Sequence, residues 1–485
     1  MDLLGRIDGW GARFPDRPAH ISGARTLTYG ALCRRADALA AHLARVLPDD
    51  GTPVAVCGHK EPEMLIAFLG AVKAGHPYIP LDTSLPPARI AQIVAAAGAR
   101  LTLTPASVAA LPAALAAPPA RRIGPADPYY IIFTSGSTGE PKGVVITLEC
   151  LTTFVDWMLA DQAFAAPETF LNQAPFSFDL SVMDLYLSLA TGGTLCSITA
   201  EEIANPKQLY AALAASGVTT WVSTPSFAQL CLAERRFAAA MLPGVRRFLF
   251  CGETLVPDVA AQLLARFPQA TVWNMYGPTE ATVATTAIRV DAAVLARYAP
   301  LPVGYALPAG RVLIQDAAGQ PAAAGARGEI VIAGPNVSPG YLGRPDLTAQ
   351  AFFALDGQRA YRTGDAGRLV DGLLFFDGRL DNQVKLHGYR IELGDVEAHL
   401  HALPGIREAV VIPVVKGGQV DSLAAFVILD PRPAGSDFAL AQALRAQLAA
   451  RLPAYMVPRK FRFLDALPLT ANGKADRRRL AESLA

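Results

Sequence analysis

Residues 129–144 read Tyr-Tyr-Ile-Ile-Phe-Thr-Ser-Gly-Ser-Thr-Gly-Glu-Pro-Lys-Gly-Val. A hydrophobic strand runs into small and hydroxylated residues, then a lysine, then a second strand. Gly136, Gly139 and Gly143 permit unusual dihedrals, and small side chains let backbone N–H groups approach an anion closely. The hydroxyls of Thr134, Ser135, Ser137 and Thr138 can donate hydrogen bonds, and Lys142 adds positive charge. That is the chemistry of a phosphate-gripping loop; the bland alternative is a polar hairpin turn. The loop departs from the GxxxxGK[ST] pattern, because Pro141 precedes the lysine and Gly143 follows it.

Further chemistry-bearing stretches follow in order. They are Asn274-Met-Tyr-Gly-Pro-Thr-Glu280, Tyr361-Arg-Thr-Gly-Asp365, and residues 378–392, Gly-Arg-Leu-Asp-Asn-Gln-Val-Lys-Leu-His-Gly-Tyr-Arg-Ile-Glu. Near the end stand Leu452-Pro-Ala-Tyr-Met-Val-Pro458 and Asn472-Gly-Lys-Ala-Asp476. Taken together and in this order, the motifs resemble those of the adenylate-forming (AMP-binding) superfamily. That group includes acyl-CoA synthetases, luciferases and peptide-synthetase adenylation domains, and the resemblance covers nearly the whole chain.

The resemblance implies ATP and Mg²⁺ as cofactors and assigns roles. The Tyr276 ring covers adenine, Thr279 bonds the α-phosphate, and Glu280 holds Mg²⁺, a hard cation that favours carboxylate oxygen. Asp365 accepts both ribose hydroxyl protons, as suits an ionised carboxylate. Gly252, Glu253, Asn274, Met275, Gly277, Pro278, Phe376, Asp377, Gly378 and Arg379 complete the nucleotide set. Lys474 is the catalytic lysine that bridges substrate carboxylate and α-phosphate, where charge develops. Eight of the 43 basic residues are lysines, so a lysine within a motif is informative. Asp381 falls at the family's hinge, about which the C-terminal domain turns between adenylation and thiol transfer.

Residues 174–186 lie where the family builds its acyl pocket. Asp179 is implied to pair with the ammonium of an α-amino acid, which a buried carboxylate requires. Capping the next helix is the structural alternative. The other wall positions are Leu180, Met183, Ser223, Leu249, Cys251, Met275, Val283 and Ala284, an apolar lining suited to a small aliphatic side chain. The stretches 176–184, 221–227 and 248–255 resemble the branch that activates D-alanine for a separate carrier protein bearing phosphopantetheine. Met275 stands where that branch places a small Thr, which keeps another small amino acid, for natural-product assembly, as the alternative. Asp179 argues against a fatty acyl-CoA synthetase. Retention of Lys142, Glu280, Asp365 and Lys474 argues against a non-catalytic nucleotide sensor.

The elements that must position these residues are legible too. Short β-rich runs at 54–57, 129–134, 219–223, 247–251 and 271–275 alternate with helical patterns such as 34–47 and 258–267, predicting a layered α/β domain. Residues 303–378 predict a β subdomain, and 104–119 a loop or loose helix. The change of character near Asp381 predicts an α/β region 1–380 and a small mobile α+β domain 381–485. The chain ends eleven residues past Lys474, so the expected thiol acceptor acts in trans. Basic and acidic residues number 43 and 42, which argues against a nucleic-acid partner, and 52% hydrophobic residues exclude disorder. No long apolar run predicts membrane insertion, and the six scattered cysteines suggest neither zinc nor disulfides. A cytoplasmic monomer is the resulting expectation.

Overall fold

The computed structural model describes residues 2–111, 123–136, 139–164, 167–386, 388–416, 419–468 and 475–484. One compact unit comprises 1–83, 97–132 and 143–380; a second comprises 381–485 with 84–96 and 133–142.

In the first unit, nine strands among the described residues form one sheet. Its order is Tyr305–Ala306, Thr286–Val290, Thr271–Tyr276, Arg247–Phe250, Thr220–Ser223, Thr169–Asn172, Thr194–Ser197, Pro18–Ser22 and Arg25–Thr28. The six strands from Thr271–Tyr276 to Pro18–Ser22 run parallel, as their alternation with helices requires. A six-stranded sheet has the order Gly340–Tyr341, Lys142–Thr147, Pro128–Thr134, Tyr78–Asp82, Val54–Gly58 and Leu101–Leu103.

Two helices pack against both sheets. Pro62–Lys73 is apolar apart from Glu63 and Lys73 at its ends and is buried at all twelve positions. Its close approach to helix Tyr29–Val46 requires Gly70, where a Cβ would lie 2.6 Å from Leu39 Cδ2. Leu180–Thr191 is buried from Leu180 to Ala190 and ends at Gly192 in the left-handed conformation. It packs on strands Thr169–Asn172 and Thr194–Ser197, and its Tyr186 hydroxyl meets that of Tyr78, on the other sheet, at 2.7 Å.

A third sheet is antiparallel and holds Arg311–Gln315, Gly328–Ala333, Gln358–Val370, Phe352–Leu355 and Leu373–Arg379. The predicted β subdomain is therefore present, with two differences. Helix Pro345–Ala351 interrupts it, and Gly340–Tyr341 pairs instead with Val144–Val145 of the six-stranded sheet. Within 104–119, Pro105–Ala109 is helical and residues 112–119 lie outside the described residues.

In the second unit, helix Leu393–His401 packs on strand Ile406–Lys416. That strand pairs with Gln419–Leu429, which in turn pairs with Lys460–Phe463. A hairpin, Gln383–Leu386 with Tyr389–Glu392, precedes them. The stretches 84–96 and 133–142, which the sequence assigns to the N-terminal region, group with this unit. Arg89 Nη2 reaches Asp395 at 3.1 Å and Ser135 Oγ donates to the Arg390 carbonyl at 3.0 Å.

Candidate active site

The carboxyl ends of parallel strands are where open α/β sheets bind ligands. Here they carry Ser223, Leu249, Cys251 and Met275, each within one residue of a strand end and each buried. Leu180 and Met183 approach from the first turn of their helix. Together with Leu249, Cys251, Met275, Val283 and Ala284 they form part of one continuous apolar cluster. Ser223 is buried beside it, accepting from Trp221 Nε1 at 2.8 Å and donating to the Thr224 carbonyl at 2.9 Å.

Asp179 does not cap its helix: its side chain makes no capping hydrogen bond. Its Oδ2 instead accepts from the Thr279 hydroxyl at 2.6 Å, although the two are a hundred residues apart. The residue read as the ammonium partner thus touches the residue read as the phosphate donor. A hydroxyl has one proton to give. Thr279 gives it to Asp179.

Thr279 and Glu280 lie on a 3₁₀ turn, Thr279–Ala281, that follows strand Thr271–Tyr276. Gly277 is required there, because a Cβ would stand 2.6 Å from Ala284 Cα. After the turn, Thr282 and Val283 both take positive φ, at 57° and 68°. For β-branched residues this is a strained conformation, costing about 1–3 kcal/mol each. The surroundings enforce it. Thr282 Oγ1 donates to the Asn336 carbonyl at 2.7 Å, Asn336 Nδ2 donates to the Ala281 carbonyl at 2.9 Å, and Cys251 Sγ meets the Val283 carbonyl at 3.5 Å. Glu280 is fully buried and accepts from the Tyr341 hydroxyl at 2.7 Å. No group of three or more His, Cys, Asp or Glu suited to caging a metal occurs among the described residues. Magnesium needs no such cage, since it is held by one or two carboxylates plus substrate phosphates. Glu280 fits that lesser requirement.

Asp365 is buried on strand Gln358–Val370, opposite Arg379 in register. Its Oδ2 accepts from the Tyr276 hydroxyl and its Oδ1 from Arg379 Nη1, both at 2.6 Å. Burial, followed by the Asp365 charge, pushes the Tyr276 phenol well above its ordinary range, so it stays a donor. An ionised carboxylate offers about four acceptor sites, so two hydroxyls can add to these bonds. The Tyr276 and Phe376 rings lie 5.9 Å apart, centroid to centroid. Asp377 pairs with Arg368, and Gly378 has φ of 100°. Asn274 Nδ2 donates to the Pro302 carbonyl at 2.8 Å. Gly252 has φ of 91°, and Glu253 accepts from the Ser226 amide at 3.1 Å.

In the second unit, Gly136 is sterically compelled, with a Cβ 2.2 Å from the Glu140 carbonyl oxygen. Gly139 has φ of 85° and its amide donates to the Gly136 carbonyl at 3.0 Å. Ser135 Oγ also accepts from the Glu392 amide at 3.0 Å, and Lys142 Nζ lies 3.9 Å from Glu392. Thr134 Oγ1 is buried without a hydrogen-bond partner among the described residues. Asp381 Oδ1 accepts from the Gln383 amide at 3.0 Å. Ser137, Thr138 and Lys474 lie outside the described residues.

Residues 7–342 match the family described as AMP-binding enzyme, and residues 395–474 match the AMP-binding enzyme C-terminal domain. The chain belongs to the AMP-binding enzyme family. Among its relatives, a D-alanine–D-alanyl carrier protein ligase of Bacillus cereus is 48% identical over 498 residues, with 99% of each chain covered. One of Bacillus anthracis is 48% identical over 497 residues, with the same coverage. A solved nonribosomal peptide synthetase protein containing adenylation and PCP domains is 29% identical with TM-score 0.84, over 99% of this chain and 84% of that one. The Vibrio cholerae adenylation domain AlmE, solved with glycyl-adenosine-5'-phosphate, shares the fold at TM-score 0.85 and 23% identity. It matches over 99% of this chain and 96% of that one.

For this AMP-binding enzyme, motif reading left out the residues that hold the named ones: Tyr341, Asn336, Thr363 and Lys60. Tyr341 and Asn336 belong to no motif quoted for the site, and their roles arise only when the segment after strand Gly328–Ala333 meets the turn Thr279–Ala281 and its continuation. Thr363 stands inside the Tyr361–Asp365 motif and accepts from the Asp365 amide at 3.0 Å. Lys60 carried one signal, as one of only eight lysines in the chain.

Proposed function

We propose that this AMP-binding enzyme joins D-alanine to ATP, giving D-alanyl-AMP and pyrophosphate, and passes the acyl group to the phosphopantetheine thiol of a separate carrier protein. The observation that carries this reading is the 2.6 Å bond from Thr279 to Asp179. In an α-amino acid one carbon separates ammonium from carboxylate. A substrate whose ammonium sits on Asp179 therefore presents its carboxylate beside Thr279. The ammonium takes over the Asp179 oxygen, and the Thr279 proton turns to the α-phosphate. The apolar wall around Cys251, Met275 and Val283 suits a methyl side chain and offers no charged group to a larger polar one. The full-length resemblance to D-alanine–D-alanyl carrier protein ligases supports D-alanine over other small amino acids.

Tyr276 and Phe376 face the adenine, and Asp365, braced by Arg379, receives the ribose hydroxyls. Thr134 to Gly139 and Lys142 hold the phosphates, Glu280 holds Mg²⁺, and Lys474 joins the α-phosphate to the attacking carboxylate. When bound, Mg²⁺ neutralises phosphate charge as pyrophosphate departs. Asp381 is the hinge between a region 1–380 and a mobile domain 381–485. No helix among the described residues is long and apolar enough to cross a membrane. We take the enzyme as a cytoplasmic monomer that supplies D-alanine for esterification of an envelope polymer such as teichoic acid.

Amino-acid-dependent ATP–pyrophosphate exchange across D-alanine, L-alanine, glycine, serine and proline tests the reading. D-alanine should give the highest kcat/KM. Preference for any other member assigns the enzyme instead to natural-product assembly.

A further inference from the structure

Lys60 belongs to none of the motifs above, yet it is 2% exposed in the core of the first unit. Its three ammonium protons go to three main-chain carbonyls: Gln173 at 2.6 Å, Ile198 at 2.7 Å and Asn172 at 3.2 Å. These carbonyls end two neighbouring parallel strands, Thr169–Asn172 and Thr194–Ser197, and begin the turn 173–178 that delivers Asp179. Among the described residues no carboxylate pairs directly with Lys60, which makes it an expensive way to tie two strand ends together.

The charge has a counterpart on the pocket helix. Asp184 is fully buried, one helical turn beyond Leu180. Burial lowers the Lys60 ammonium to about 8, while Asp184, the strongest of the opposing charges, pulls it back up. A chain of hydrogen bonds connects the two regions. Asn172 Nδ2 donates to Asp184 Oδ1 at 3.1 Å and to the Ala174 carbonyl at 3.0 Å. Ser197 Oγ donates to Asn172 Oδ1 at 2.7 Å, and His20 Nε2 meets Ser197 Oγ at 2.9 Å. His20, Asn172 and Ser197 are all buried. The turn is therefore held at its start by Lys60 and Asn172, and the helix it feeds is held by Asn172 through Asp184.

We propose that Lys60 and Asp184 are positioning residues of the amino-acid pocket, fixing turn 173–178 and the first turn of helix Leu180–Thr191 so that Asp179 meets Thr279. This rests on the reading that Asp179, Leu180 and Met183 face the amino acid. Removing the ammonium leaves the Gln173 and Ile198 carbonyls without this donor, and takes away the Lys60 charge that opposes the burial pushing the Asp184 carboxyl well above its usual range. The turn then loses its register, and the site for the ammonium of the substrate blurs while the distant adenine and ribose contacts persist.

The test is steady-state exchange with full-length wild-type, Lys60→Met, Ser197→Ala and Lys60→Met/Asp184→Asn enzymes. D-alanine and ATP are varied separately, beside thermal melts. Lys60→Met should raise the amino-acid KM by about tenfold, the cost of a buried acceptor left unpaired, and leave the ATP KM within about twofold. Ser197→Ala, which removes one link and spares the cation, should show the same split more weakly and keeps the test decisive if Lys60→Met does not fold. The double variant should recover part of the loss, because no buried acid is left without the Lys60 charge. Leu263→Ala in the distant helix Pro257–Arg266 serves as the control, lowering Tm with no change in amino-acid KM. Equal shifts in both KM values, or an unmoved amino-acid KM in Ser197→Ala, would overturn the proposal. Wild-type exchange that needs no amino acid would instead overturn the proposed function.

Discussion

At the scale of single residues, two positions are defined by their partners. Asp179 was identifiable in the sequence as a carboxylate in a pocket motif, and helix capping stood as its structural alternative. The structure removes that alternative, because the carboxylate turns away from its helix and toward Thr279. No local pattern shows this, since the contact joins the start of a helix to a turn a hundred residues away. Asp179→Asn should lower amino-acid kcat/KM on the order of 100-fold, the effect of leaving a buried ammonium without its countercharge, about 3 kcal/mol. The ATP KM should hold, because Asn retains an oxygen for the Thr279 hydroxyl. Separate titration of the two substrates checks this, and a parallel loss in both would tie Asp179 to the nucleotide instead. Asp365 shows the complementary case. Its motif was readable, whereas its bracing by Tyr276 and Arg379 depends on register between two strands that sequence spacing does not specify.

Among elements, the turn Thr279–Ala281 and its continuation through Val283 carry stored strain. In the sequence, alternation of β-rich runs with helical patterns marks the strands within a residue or two. The sequence does not announce left-handed Thr282 and Val283, because β-branched residues argue against that conformation. Tertiary bonds from Asn336 and Cys251 overrule the local preference. Val283→Gly should therefore raise Tm or hold it, since relief of the backbone offsets loss of the side chain. The same variant should raise the D-alanine KM several-fold by removing part of the pocket wall; loss of a buried Val contact corresponds to about 1–3 kcal/mol at most. Calorimetry and exchange kinetics on one preparation separate the two effects. A large fall in Tm would show that the turn carries no strain worth relieving.

For the molecule as a whole, layered architecture was legible because buried helices and parallel strands leave distinct hydrophobic patterns. The third sheet's loan of Gly340–Tyr341 to the six-stranded sheet was not, since a two-residue strand has no periodicity. The buried polar chain beneath the pocket also sets how the molecule meets acid. Burial, then the charges of Lys60 and Arg25, lower His20 from 6.5 to about 3. Between those values the unfolded chain binds a proton that the folded chain refuses, so stability falls as pH falls through this window. The slope approaches about 1.4 kcal/mol per pH unit. Urea midpoints from pH 7 to 4 should drop more steeply for wild-type than for His20→Gln, and equal slopes would remove His20 from this role. The substrate preference of the whole enzyme is read most directly by pyrophosphate exchange with D- or L-alanine as sole amino acid. D-alanine should be preferred by a finite margin of roughly 10- to 200-fold, as expected for a pocket that distinguishes a methyl from a hydrogen. Equal rates with both enantiomers, or preference for L-alanine, would contradict it.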